Sequence, residues 1–220
     1  MKKLILLSLA VVFSLVTTAQ DKITEGVITT KQTLSTDNAQ MQATFDQMGD
    51  MMATTYFKGT KSRVEMSNPM SGDMVVISDQ DKMQSLTLMD SPMMGGKKFM
   101  LKTVEVTPEM LENISVEEGS ATKTILGYEC KEKIVTMVQD GVEVKMSMFT
   151  TDEIVPVMTQ QTSMLGDKIS GYPMYMVMNM NQQGMAMTMT MEVTKLDKTS
   201  VSEDKFNMTP PEGYTKMEGM

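Results

Sequence analysis

Histidine and tryptophan are absent from this chain, and cysteine occurs once. Without histidine, the commonest general base and the commonest imidazole metal ligand are missing. A single cysteine, Cys130, excludes an intramolecular disulfide. Such a thiol reads as a small buried apolar residue. Long apolar runs are scarce. The stretch 169–191 carries no charge, but Gly171, Pro173 and Asn181-Gln182-Gln183-Gly184 break it, which argues against a membrane helix. Aromatics are few as well. Five Tyr and six Phe do not supply the girdles of an outer-membrane barrel. No glycine-rich phosphate loop or cysteine pair occurs, and Asp79, Asp81 and Asp90 lack the spacing of a calcium loop. These absences point away from an enzyme and leave no cofactor to expect.

Basic charge is also short. Lysine and arginine number 20 against 28 acids, for a net charge of −8, which disfavours nucleic acid and anionic membranes as partners. Two of the lysines, Lys2 and Lys3, precede an apolar stretch (residues 4–16) and the small-residue site Thr17-Thr18-Ala19. That order predicts a signal peptide over residues 1–19, cleaved after Ala19. The mature chain, 20–220, is then expected to be a single periplasmic or secreted domain with no membrane span. No cysteine follows the cleavage site, so no lipid anchor is expected there.

Most of the mature chain reads as short strands. "KITEGVITTKQTL" (22–34) is rich in Thr, Val and Ile. "TTYFKG" and "SRVEMS" split at Gly59, "MVVIS" and "KMQSLTLM" at Asp79-Gln80-Asp81, and "KKFMLKTVEV" follows a loop at 91–96. Two pieces break the pattern. Residues 37–52 carry Met41, Phe45, Met48 and Met52 at helical spacing after a capping Asp37 or Asn38. Thr107-Pro108-Glu109 is a helix-start signal good for one or two turns. Asp140-Gly141 lies between two alternating runs and predicts a hairpin that pairs Gln139 with Val142.

What the chain has in excess is methionine, 30 residues of it. "MYMVMNMNQQGMAMTMTM" (174–191) places one at every second position on both sides of a turn. Strand side chains two apart share a face. Met174, Met176, Met178 and Met180 therefore point one way, and so do Met185, Met187, Met189 and Met191. A two-residue loop pairing Asn181 with Gly184 would put Met180 opposite Met185, and any even loop keeps all eight on one face. Such a face suits core packing, an apolar ligand or a soft metal, because thioethers are adaptable and select Cu(I).

Three segments carry a resemblance: "KTILGYECKEKIV" (123–135), "GYPM" (171–174) and "FNMTPPEGY" (206–214). They resemble a family of small exported bacterial domains of unknown function, itself similar to periplasmic lipoprotein carriers of the LolA and LolB type. The resemblance implies a mainly β (α+β) fold, a curved antiparallel half-barrel wrapped around one or two helices, with an apolar cavity that in the carriers holds acyl chains.

Residues and resemblance together lead to one expectation: a non-enzymatic binding protein for a lipid, acyl chain or lipidated protein. The ligand-binding residues expected are Met174, Met176, Met178, Met185, Met187 and Met189, with Tyr175 beside them. Two alternatives stand. One is a Cu(I) or Ag(I) protein using Met185, Met187 and Met189. The other is a structural or partner-binding domain with a closed core.

Overall fold

The computed structural model describes residues 22–68, 72–103, 107, 111–139, 142–157, 162, 165, 168–182 and 185–217. The expected signal peptide lies outside the described residues, as do the Asp140-Gly141 turn and much of the Thr107 helix signal. From that signal, Leu111 donates its backbone N–H to Thr107 at 3.2 Å.

Two runs of consecutive antiparallel strands make one sheet. The first run is β1 (Glu25–Thr36), β2 (Met51–Lys58), β3 (Lys61–Asn68), β4 (Gly72–Asp79), β5 (Gln84–Ser91) and β6 (Gly96–Thr103). The second is β7 (Ile114–Ile125), β8 (Tyr128–Gln139), β9 (Val142–Thr151), β10 (Tyr172–Gln182) and β11 (Met185–Asp197). A two-residue strand, β12 (Thr215–Lys216), runs parallel to β6. The order is β12-β6-β5-β4-β3-β2-β1-β11-β10-β9-β8-β7, so the two runs join through the β1–β11 pair and the sheet stays open at its ends.

Local chemistry sets the hairpins. Leu126 and Gly127 both take positive φ (51° and 87°), the geometry of a two-residue turn whose twist suits flanking strands. The "GY" of the resembling segment is thus the exit of a turn, with Ile125 facing Tyr128. Gln139 pairs with Val142 as the sequence predicts. The helix α1 (Ala39–Met48) starts at Asn38, whose side chain accepts from the N–H groups of Gln40 and Met41 at 3.1 and 3.0 Å. It is shorter than the methionine spacing suggests. Gly49 ends it, and Met52 belongs to β2.

The sheet is strongly curved. A small cavity of about 30 Å³ is lined by Val76 of β4, Thr30 and Gln32 of β1, and Tyr172 of β10. On a flat sheet β4 and β10 would be roughly 24 Å apart, at about 4.8 Å per strand. The side chains of Tyr172 and Thr55 nonetheless share a hydrogen bond across the concave side, and burial raises the phenol's pKa while that bond opposes it. Gly171 (φ 77°) immediately precedes the strand that begins at Tyr172. A Cβ on Gly171 would sit 2.7 Å from the Thr151 carbonyl oxygen.

The convex side of β2–β6 is covered by the chain after β11. Val201 and Phe206 pack on Ile77, Leu86 and Leu88. Ionic contacts fix this tail. Glu25 accepts from the Val201 N–H (2.5 Å) and the Ser200 hydroxyl (3.0 Å), and Glu203 meets Lys61 (2.9 Å) and Lys58 (3.3 Å). The Val201 N–H, then the Ser200 hydroxyl, hold the Glu25 carboxyl below its usual range, and the lysine bonds do the same for Glu203. A depressed folded pKa stabilises above the unfolded value, and that contribution is lost as pH falls through the folded one. Acid is therefore expected to loosen the tail. In an NMR titration, the Val201 amide signal should move with a midpoint below about 4.3, the ordinary glutamate value. A midpoint at or above that value would contradict the anchoring role.

Candidate functional site

The methionine hairpin forms as β10 and β11, with a register two residues away from the shortest-loop expectation. Met176 faces Met191, Met178 faces Met189, Met180 faces Met187, and Met185 faces Gln182. Parity is unchanged by an even shift, so the described thioethers of the two strands still share one face. β9 extends the rows, with Met148 beside Met176 and Met146 beside Met178. Val135 of β8 then follows Met146. In β1 and β2, Gln32 faces Met191 and Thr30 faces Ala53. Beyond Ala53 the same face carries Met66, Met74 and Met89 in one row, with Met100 opposite Thr87. The concave side is therefore a trough lined with thioethers in each half of the sheet, with Thr30, Gln32 and Ala53 between the two groups.

The trough is closed at one place and open at another. Met174 and Met176 have 0% exposure, and Met146 and Met148 are buried with them. Leu165 and Ile169, from the connection between β9 and β10, pack on Met146, Met148 and Met176. That connection is fastened by Lys168, whose ammonium donates to the carbonyls of Leu111 and, at 2.5 Å, Ile114. Lys133 lies opposite Met148 and is only 9% exposed, with Glu118 accepting from it at 2.8 Å. That bond and the lysine's charge hold the Glu118 carboxyl below its usual range.

Toward the hairpin tip Met178, Met180, Met187 and Met189 are only half-buried. Here α1 stands beside the sheet. Thr36, just before it, donates its hydroxyl to the Ala186 carbonyl (2.7 Å) and its N–H to Gln42 (2.9 Å). No residue of α1 is buried, so the helix borders the trough and does not fill it. Gln40, Met41, Thr44 and Phe45 of α1, with the capping Asn38 and with Met187, line an open groove of about 550 Å³. That volume is within the range of small-molecule sites.

Of the residues expected to bind ligand, Met174 and Met176 form the packed floor, and Met178, Met187 and Met189 line the half-open part. The side chain of Met185 lies outside the described residues. Tyr175 alternates to the other face, edge-on to Phe149 (6.0 Å, 70°), with the Lys123 ammonium 3.9 Å from its ring centre. The trough also takes in Met66, Met74, Met89, Met100, Met146 and Met148, and Met41 of α1 stands at its edge, although none of these is in the expected ligand-binding set. For Met146 and Met148 the signal is the alternation of "KMSMF", which runs over only two methionines, and for Met41 it is helical spacing.

Other chemistry is sparse. Cys130 is buried, and that burial pushes its thiol up to about 11, far from a reactive thiolate. Among the described residues, no group of three His, Cys, Asp or Glu is placed to hold a metal, and no helix is long and apolar enough to cross a membrane.

The fold and site together define a class: a mainly β domain, an open curved antiparallel sheet with one described α-helix, enclosing an apolar concave face. Its place among proteins is given by a family model matching residues 37–214, described as Domain of unknown function (DUF4412), and the chain belongs to that family. No curated protein matches it. Among solved structures it is similar to one described as "Structure of PNGF-II in C2 space group", at 12% identity and a TM-score of 0.47. That match covers 87% of this chain, which spans only 31% of the other's length.

Proposed function

We propose that this protein is a non-enzymatic binding protein for an apolar ligand, a lipid, an acyl chain or a lipidated protein, held along the thioether-lined trough. One observation carries the reading: the methionine-rich face of β9 to β11 is capped by Leu165 and Ile169 at one place and half-open beside α1 at another. Methionine side chains are flexible and polarizable, so such a wall accepts apolar chains of varied shape. Burial of several hundred Å² at roughly 25 cal/mol per Å² exceeds the ordering costs of a single chain. The signal-like N-terminus supports a periplasmic or secreted location. The resemblance to LolA-type carriers supports the same ligand class, with the curved sheet here in the role of their half-barrel.

The test is direct. The full chain, purified from the compartment where it resides, is analysed by native mass spectrometry for co-purifying lipid and titrated with a fluorescent fatty acid. Retained lipid or saturable, displaceable fluorescence is expected. If neither is found, the concave face is a closed core and the domain serves a structural or partner-binding role.

A further inference from the structure

The register of the hairpin bears on a second kind of ligand. Met187 and Met189, same-face neighbours on one strand, start roughly 6.5–7 Å apart, a longer reach for one shared ion than a pair directly opposite across the hairpin. The pairing offers a better set. Met180 and Met187 are directly opposite across β10 and β11, which brings their Cβ atoms to roughly 5 Å. Each sulfur lies two bonds further along a flexible stem, so the pair reaches the spacing of roughly 4 Å that a shared ion needs at metal–sulfur distances of about 2.3 Å. A third thioether comes from outside the sheet. Met41 of α1 lines the same groove as Met187, and the Thr36–Ala186 hydrogen bond ties the chain just before α1 to the strand carrying Met187.

We propose that Met180, Met187 and Met41 form a three-thioether site for a soft monovalent cation, Cu(I) or Ag(I), at the mouth of the trough. The donors fit that class. Thioethers are soft and neutral, and the other groove residues, Asn38, Gln40, Thr44 and Phe45, bring no carboxylate that would favour a hard divalent ion. All three residues are half-buried and stand at an open groove, so an ion can reach them from solvent. The site goes beyond the apolar-ligand reading and does not depend on it, because the deeper floor at Met176 and Met148 takes no part.

Binding involves no proton. A thioether has none to lose, and the chain contains no histidine, so uptake should be flat from about pH 5 to 8, unlike uptake at thiolate or imidazole sites.

The experiment is a competition titration of the full chain with Ag(I), and with Cu(I) under reducing conditions, against a chelator of known affinity. One ion per chain is expected. Met180→Leu, Met187→Leu and Met41→Leu should each weaken uptake by about tenfold or more, while Met93→Leu, at an exposed methionine elsewhere, and Cys130→Ala should leave it unchanged. Leucine conserves volume, so these variants should fold. As a readout on the unaltered chain, ¹³C-methyl methionine NMR should show the Met41, Met180 and Met187 methyls shifting together on Ag(I) addition. Uptake indifferent to Met180→Leu and Met187→Leu, uptake lost only with Cys130→Ala, equal shifts at all exposed methionines, or no uptake at all would each overturn the proposal. Fatty-acid binding on the same preparation is scored separately, so either ligand can fail without the other.

Discussion

Met176→Ala should destabilise the fold by about 2–5 kcal/mol, the range for truncating a large buried side chain. Met176 is wholly buried between Met191 and Met148, under Leu165 and Ile169. Alanine there removes the apolar area and leaves a cavity that paired strands on both sides cannot collapse into. Met176→Leu, which conserves volume, should cost less than about 1.5 kcal/mol. Met93→Ala, at a residue 82% exposed, should stay within about 0.5 kcal/mol of the parent. Urea denaturation of the three variants checks the series. A loss below about 1 kcal/mol for Met176→Ala would mean that the floor is loosely packed.

Met178→Lys should weaken fatty-acid binding by about tenfold or more with little loss of stability. Met178 sits opposite Met189 on the half-buried part of the trough. A lysine there can extend its ammonium to water in the free protein, so folding tolerates it. A bound acyl chain would cover that route and leave the charge buried without a partner, which costs far more than a lost contact. Thr190→Lys on the opposite face of the hairpin, beside Val177, is the control and should bind as the parent does. Equal binding by the Met178 and Thr190 variants would remove the trough from ligand recognition.

Much of the sheet was legible from period two alone. Asp140-Gly141 is a strong turn signal between alternating runs, and the register it implies, Val135 opposite Met146, is the one observed. The methionine hairpin was legible in face but not in register. Asn181-Gln182-Gln183-Gly184 admits several even loops, each of which conserves the face, so nothing local selects Met180 opposite Met187 over Met185. The helix was over-extended because Met52 continues the spacing of Met41, Phe45 and Met48, while Gly49 supplies the stop.

Two features had no periodic signature. The docking of the tail on Ile77 and Leu86 depends on irregular backbone, and the closing of the trough by Leu165 and Ile169 depends on a long connection. The candidate site was half legible for the same reason. Alternation identifies which side chains share a face, but which stay half-open depends on where α1 and that connection come to rest.

The pairing of β1 with β11 has a consequence in time. Thr36 and Ala186 are 150 residues apart, whereas β2 to β6 and β7 to β9 pair through short hairpins. A chain that emerges N-terminus first can zip most of its hairpins as they appear, yet one edge of β1 stays bare until the eleventh strand arrives. Closing that long loop should set the folding rate. Until it closes, an exposed edge beside unburied methionines is the state most open to capture by a chaperone or by another copy of the chain.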